Sequence, residues 1–327
     1  MNYKNLLSPQ KVFNAIRLES RALQKILQHG YPDISLHFLG GLGDEIMLTC
    51  IARELRKRDA GKKIWQISSA AELIKNNPDY TLVLDHTFWD LRHSNILKKT
   101  RTKLGYSYPL PGDDVWEVPT EHILLNSLRK TGIKGPVELR PYVYLANEEV
   151  EKYRFNQFQI CFQSVGEYTH ETWMRNKIWS HQNLCMVVDR IKERIPAIKT
   201  IQLGVPQDPT LPCDIDLRGK TGLRQTAAAI AASKLFIGTQ GFLPHLARAV
   251  DTRSVVIFGG REHAWQSGYV ANINLESFPS CSPCWAMSRC GNDRMCMSQI
   301  SVSDVCNAVF RAIEEVEKPL LVQTEFI

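Results

Sequence analysis

The stretch HFLGGLGDEIMLTCIARELRKR, residues 37–58, runs from a short apolar segment through three glycines into a basic helix with a carboxylate at its mouth. Gly40, Gly41 and Gly43 turn the chain, and Asp44 opens the helix. An acid there has two readings. A side-chain oxygen near a helix start accepts hydrogen bonds from amides that lack an intrahelical partner, so Asp44 reads first as a cap. Alternatively, the glycines leave the backbone open so that a substrate can reach the carboxylate. The glycine spacing matches neither G-x-G-x-x-G nor the G-x-x-x-x-G-K-S/T phosphate loop, which disfavours a dinucleotide fingerprint and a P-loop ATPase.

Working outward, SLHFL, the Asp44 helix, KKIWQISS, AAELIKN and YTLVLD form a β-α-β-α-β series, which builds a parallel sheet. Ahead of it, QKVFNAIRLESRALQKILQHG carries Val12, Ile16, Leu23, Ile26 and Leu27 at helical spacing, a helical extension within residues 1–33. Residues 86–120 resist assignment, with Pro109 and Pro111 arguing for loops, and TEHILLNSLRKTGI returns to helix with Gly132 as its stop. The charged run ANEEVEKYRFNQ marks a boundary near residue 150. Beyond it QICFQSV, SHQNLCMVVDRIKERI, KTIQLG, GLRQTAAAIAAS, KLFIG, FLPHLARAV and SVVIFGG repeat the alternation. The expected architecture is α/β, with two doubly wound domains, residues 1–150 and 151–327, facing one another across a cleft. Ligands in such sheets bind beyond the carboxyl ends of the strands.

A chain of 327 residues, 44% hydrophobic and 23% charged, is ordinary globular material with room for two domains. The opening MNYKNLLSPQKVF lacks the apolar core of a signal peptide, and no run is long enough to span a bilayer, so the expected compartment is the cytoplasm. A net charge of +6 favours anionic partners without choosing among them. Neither basic interleaved aromatics nor a recognition module indicates nucleic acid. Four of nine cysteines crowd into CSPCWAMSRCGNDRMC. Cys281, Cys284, Cys290 and Cys296, spaced C-x2-C-x5-C-x5-C, read either as a structural zinc or iron site or as reduced thiols. With no histidine inside the array, a catalytic metal is disfavoured.

The loops of the second half carry the candidate ligand contacts. GEYTHETWMRNKIWS places Lys177 just before a helix, as a surface cation or an anion clamp. Thr221 reads as the N-cap of the next helix, with Gly222 giving backbone access. Thr239, Gln240 and Gly241 form a loop after KLFIG, and His245 follows one turn into the helix. Helix-terminal amides with a nearby Lys or His suit phosphates, and three such junctions point to a diphosphate-containing ligand.

GGLGDEIMLTCIARELRKR resembles the N-terminal motif of the family 9 glycosyltransferases, the ADP-heptose:lipopolysaccharide heptosyltransferases and their relatives. RNKIWS, DLRGKTGLRQTAAAIAASKLFIG and GFLPHLARAVDTRSVVIFGG follow in the order and approximate spacing of that family's C-terminal domain, so the resemblance covers most of residues 36–315. It implies a GT-B fold of two Rossmann-like domains: acceptor side in the first, nucleotide-sugar donor in the second. It further implies metal-independent transfer with inversion, so no cofactor is needed for catalysis. In this resemblance Asp44 matches the catalytic carboxylate and Lys177 the lysine on the donor diphosphate. Thr172 matches a hydroxyl beside the phosphates, Thr221 the adenine-side segment, and Gly241 with His245 the Gly-x-x-x-His pair. The departure is Thr239-Gln240-Gly241, where members carry Asp-Ser-Gly or Asp-Thr-Gly.

The implied reaction is sugar transfer, with heptose from ADP-heptose as the leading donor, to a bacterial surface glycan, lipopolysaccharide or glycoprotein. Peripheral contact with the inner membrane is the expectation for a glycolipid acceptor. Alternatives are a GT-B transferase using another nucleotide sugar, a nucleotide-sugar epimerase, and a metal-stabilised scaffold without activity. Thermal shift with a panel of nucleotide sugars discriminates them.

Overall fold

The computed structural model describes residues 9–38, 40–104, 118–165, 172–286 and 290–327. Helix α1 (Pro9–His29) lies against the first domain through Leu18, Ala22 and Ile26, which pack with Trp65, Leu84 and Leu91. Arg21 fixes it further by an ion pair to Asp90 at 2.6 Å. Strand β1 (Ile34–Phe38) leads to α2 (Leu42–Arg58), β2 (Ile64–Ile67), the short α3 (Ala71–Ile74) and β3 (Leu82–Leu84). After a 3-10 segment, His86–His93, the chain returns as β4 (Arg101–Leu104). The sheet order is β3-β2-β1-β4, and every pairing is parallel. From β1 the chain steps outward to β2 and β3, then crosses to the other flank as β4. The topological switch point therefore lies between β1 and β4, where the glycine turn leaves the sheet.

Helix α2 is held there by its own buried acid. Glu45 is 2% exposed, and its carboxylate accepts from the Ser68 and Ser69 hydroxyls and from the Ala70 amide at 3.1 Å. This ties the first turn of α2 to the loop after β2. Met47, Leu48, Ile51 and Leu55 fill the core with Leu124 and Leu128 of α4 (Ile123–Arg129). Gly132, at φ +76°, follows α4, consistent with the expected stop, and β5 (Pro136–Glu138) comes next. Proline-flanked residues 105–117 lie outside the described residues.

The charged segment expected as a boundary contains α5 (Asn147–Glu151), and beyond it β6 (Gln159–Gln163) begins a second sheet. A 3-10 turn, Thr172–Lys177, then precedes α6 (His181–Arg194). There follow β7 (Lys199–Leu203), β8 (Ile215–Asp216), α7 (Leu223–Ala231), β9 (Leu235–Thr239), α8 (Phe242–Ala249) and β10 (Ser254–Gly259). The short α9 (Ala264–Ser267), β11 (Ile273–Glu276), the short α10 (Met295–Ser298) and α11 (Val302–Glu314) complete this half. The order β11-β10-β9-β6-β7-β8, parallel throughout, puts a second switch point between β6 and β9. Strands β9 and β10 are buried along their whole length, as a sheet covered on both faces requires.

The terminal helix α11 stays with the second domain, where Val305, Val309 and Ala312 pack with Val255 and Ile257 of the sheet. The return to the first domain is made by the chain after it, which ends as β12 (Thr324–Phe326), antiparallel to β5. Among the described residues no helix is long and apolar enough to cross a membrane.

Candidate active site

The two switch points face each other. Asp44 stands in the first turn of α2, and its Oδ2 accepts from the Gly41 amide at 2.8 Å, so the capping role is real. The same carboxylate acts electrostatically on Lys177 and Tyr269 of the second domain. Its neighbour Gly43 lies at a close approach between the domains. A Cβ there would lie 3.0 Å from His245 Cδ2 and 3.5 Å from Phe242 Cα, so the bare backbone lets α2 and α8 meet. Gly41 carries no such constraint, and Gly40 is exposed.

Lys177 follows β6 and is largely buried, with its side chain 16% exposed. Its Nζ lies 3.5 Å from Glu262 Oε1, and Glu262 is paired at 2.7 Å with Arg261. Burial depresses the Lys177 pKa to about 8, opposed chiefly by the Glu262 charge, while Arg261 depresses it further. Glu262 itself is held below the ordinary carboxylate range because the Lys177 and Arg261 charges outweigh its burial. Lys177 therefore remains a cation at neutral pH, but one whose solvation has been replaced by a single carboxylate.

His245 is 6% exposed, and its Nδ1 meets the Tyr269 hydroxyl at 2.7 Å. Burial drives its pKa down to about 3, so it is the neutral imidazole. Behind it His122, down to about 4 for the same reason, contacts the Gly268 carbonyl through Nε2 at 2.9 Å and accepts from the Leu124 amide. Tyr269 thus sits between two neutral histidines, one from each domain.

At the second switch point Thr239 lines a crevice with Gln163, Ser164, Trp179 and His181. Gln240 Oε1 is buried with no hydrogen-bond partner among the described residues, an acceptor that lacks a donor. Gly241 caps α8, and nothing lies within 4 Å of where its Cβ would stand, so the α8 amides are approachable. Thr221 does not cap α7: Gly222 occupies that position, with its amide donating to Gln225, while Thr221 pairs its hydroxyl with Thr226 at 2.8 Å. Gln225, one turn on, reaches back to satisfy the Gly222 amide. Thr221 follows β8, on the same carboxyl edge of the sheet but on the far side of β7 from Lys177. Thr172 opens the 3-10 turn that ends in Lys177, and its side chain lies outside the described residues.

The cysteine segment supports this site from below. Trp285 donates its amide to the Arg261 carbonyl at 2.9 Å, and the Ala286 carbonyl accepts from both Arg261 Nε and Asn176 Nδ2. Cys281 is exposed, while Cys284, Cys290 and Cys296 are partly buried. The Cys296 thiol is pushed up by burial and then by the fields of the other three, so the four are neighbours. Cys290 Sγ accepts from the Arg294 amide at 3.2 Å. Among the described residues, however, no three His, Cys, Asp or Glu side chains converge to hold a metal ion.

Arg261, Glu262, Tyr269 and His122 were not singled out from the sequence. For Arg261 and Glu262 the signal was positional: GGREH directly follows the buried strand β10, at the sheet edge where ligands bind.

Two parallel doubly wound sheets with their switch points opposed across a cleft define the GT-B class. Residues 197–289 match the model of glycosyltransferase family 9 (heptosyltransferase). The fold is similar to Escherichia coli ADP-heptose lps heptosyltransferase II, with TM-score 0.64, 15% identity, and coverage of 87% of this chain and 99% of that one. It is similar to the glycosyl transferase family 9 protein of Veillonella parvula, with TM-score 0.63, 16% identity, and coverage of 87% and 98%. A third similar structure is the iron-containing dodecameric glycosyltransferase TibC of enterotoxigenic E. coli, with TM-score 0.64, 14% identity, and coverage of 87% and 77%. TibC has also been solved in complex with ADP-D-beta-D-heptose. No curated protein matches the sequence. The chain thus has the GT-B fold that these heptosyltransferases share, and its residues 197–289 carry the family 9 match.

Proposed function

We propose that the protein transfers a sugar, with inversion, from a nucleotide diphosphate donor held by the second domain to a hydroxyl presented by the first. The observation that carries this reading is the opposition of Asp44 and Lys177, an acid and a cation at the two switch points, close enough to feel one another electrostatically. The acceptor oxygen attacks the anomeric carbon from the face opposite the diphosphate and gives its proton to Asp44. The carbon–oxygen bond to the diphosphate breaks, and the leaving nucleotide carries the electron pair away as a phosphate oxyanion. Lys177 and the α8 amides stabilise that charge, and the step needs no metal. Neutral His245, locked on Tyr269, serves as a hydrogen-bonding group rather than a second cation.

ADP-heptose is the leading donor, supported by the family 9 match and by the ADP-D-beta-D-heptose complex of TibC. Thr239 stands where the resemblance leads one to expect an acid, and beside it Gln240 offers an uncharged acceptor, which favours a sugar presenting a hydroxyl donor there and keeps other nucleotide sugars in the comparison. The acceptor is a bacterial surface glycan, lipopolysaccharide or glycoprotein, met on the cytoplasmic side. Peripheral contact with the inner membrane is supported by α1, whose Val12, Ile16, Leu23 and Leu27 are exposed and recur on one helical face. The four cysteines are proposed as a structural zinc or iron set, supported by their clustering and by TibC being iron-containing; ligation would require their side chains to converge further.

The test is turnover and thermal stabilisation with a panel of ADP- and UDP-sugars. Stabilisation by ADP-heptose and by ADP, with transfer to a bacterial lipid-linked acceptor, is the expected outcome. No stabilisation by any nucleotide would overturn the reading.

A further inference from the structure

A cavity of about 430 Å³ lies at the opposite end of the second sheet from Lys177 and Gln240. It is bordered by the residues leading into β9 and β10, Ser233, Lys234, Thr252 and Arg253. One strand length, about 17 Å, separates it from the donor site. Both connections between the domains reach it: Arg154 comes from the first, just after α5, and Val316, Lys318 and Leu320 come from the return towards β12.

Basic side chains dominate its lining. Arg154, Lys234, Arg253 and Lys318 line it against a single carboxylate, Asp251, which Arg140 and Arg248 already share at 2.8 Å each. Arg253 is the anchor. Its side chain is 10% exposed and donates to the Lys318 carbonyl at 3.0 Å, and a guanidinium fixed in this way at the cavity wall suits a phosphate. Glu151, Glu315 and Glu317 stand outside these cations, 2.8 to 3.8 Å away. The pairs made by Arg154, Lys234 and Lys318 are exposed and too weak to keep those cations from a dianion.

We propose that this cavity binds a soluble phosphorylated small molecule, with the phosphate on Arg253, Lys234 and Lys318, independently of the donor site. The volume is within the ordinary range for small-molecule pockets, and Val316 and Leu320 offer apolar contact to the remainder of the ligand. Because the lining comes from both connections, the bound anion ties them together where the two domains would hinge.

Pyrophosphate is the probe, titrated calorimetrically into full-length protein already saturated with ADP, so that the donor site is filled. One further equivalent should bind. The double variant Lys234→Glu with Lys318→Glu changes exposed residues and should weaken it at least about tenfold while leaving ADP affinity and melting temperature unchanged. The amides of Val316, Glu317, Lys318 and Leu320 should gain protection from hydrogen exchange when pyrophosphate is added. No binding in the presence of ADP, equal binding by the double variant, a parallel loss of ADP affinity, or no protection of these amides would each overturn the proposal.

Discussion

The strand-to-helix turns after β1 and after β9 are the same device built twice, and they carry opposite chemistry. Each follows a parallel strand at a switch point, and each opens a helix whose first amides face the cleft. In the first domain the amide end is answered internally, because Asp44 reaches back to the Gly41 N–H at 2.8 Å. In the second, Gly241 has no side chain with which to answer, and the space beside it is open. One turn therefore presents a carboxylate and the other presents unsatisfied donors beside a lysine. A transferase needs that asymmetry: a proton acceptor on one wall and an oxyanion site on the other.

The most severe way to break the asymmetry is to neutralise the acid without moving it. In Asp44→Asn the amide oxygen still accepts from Gly41, so stability should change by only a few tenths of a kcal/mol. Turnover should fall roughly 10²- to 10⁴-fold, the usual contribution of a positioned base. Turnover at saturating donor and acceptor, with melting temperature and ADP affinity from the same sample, decides the matter. Near-native turnover would leave Asp44 a cap and nothing more.

The opposite wall is tested by Lys177→Ala, which should weaken ADP binding by about 1.5–3 kcal/mol, the range for hydrogen bonds to charged groups. Calorimetry with ADP and UDP reads this directly. Affinity unchanged for both would remove Lys177 from the donor site.

These two walls differ in how far the sequence revealed them. The frame of β1, α2, β6, β9 and β10 was legible because apolar runs break at glycines and resume with helical spacing. Asp44, Lys177 and the Gly241 turn were legible because they stand where strands end. Strand β4 was not, since Arg-Thr-Lys-Leu is short and polar, without the apolar run that marked the other strands. Pairing of β12 with β5 was invisible because it joins the chain's end to its middle. Gly43 looked like a turn residue, yet its constraint is His245, a side chain of the other domain. Glu262 escaped notice for a similar reason: its partner Lys177 follows a different strand, and no local pattern marks a carboxylate that will be buried.

Gly43 gives a milder perturbation, of the spacing rather than the charges. A methyl in Gly43→Ala would sit 3.0 Å from His245, so either the imidazole gives by a few tenths of an ångström or α2 and α8 separate. Overpacking of this sort costs typically 1–3 kcal/mol. The expected outcome is a lower melting temperature and roughly tenfold slower turnover, with ADP affinity retained because Lys177 and its loop are untouched. Loss of ADP binding in step with turnover would show instead that the contact shapes the donor site itself.

The smallest effect at neutral pH, and the most diagnostic, concerns Glu262. Free Lys177 titrates near pH 8, so it is charged below that value and neutral above it. Diphosphate affinity should hold to about pH 8 and then fall, well before an ordinary lysine would lose its proton. Stability should move the other way. Between pH 8 and the ordinary lysine range the unfolded chain binds more protons at this site than the folded one, so stability rises with pH there. Glu262 is the main charge holding the Lys177 pKa up. Glu262→Gln keeps the shape and removes that charge, so the midpoint of ADP binding should drop by about one pH unit, with a modest loss of affinity at pH 7 and a larger one at pH 8. Calorimetric titration with ADP from pH 6.5 to 9.5, on wild type and variant, measures both curves. Superimposable curves would mean that Lys177 does not carry the diphosphate, whatever the Lys177→Ala variant had lost.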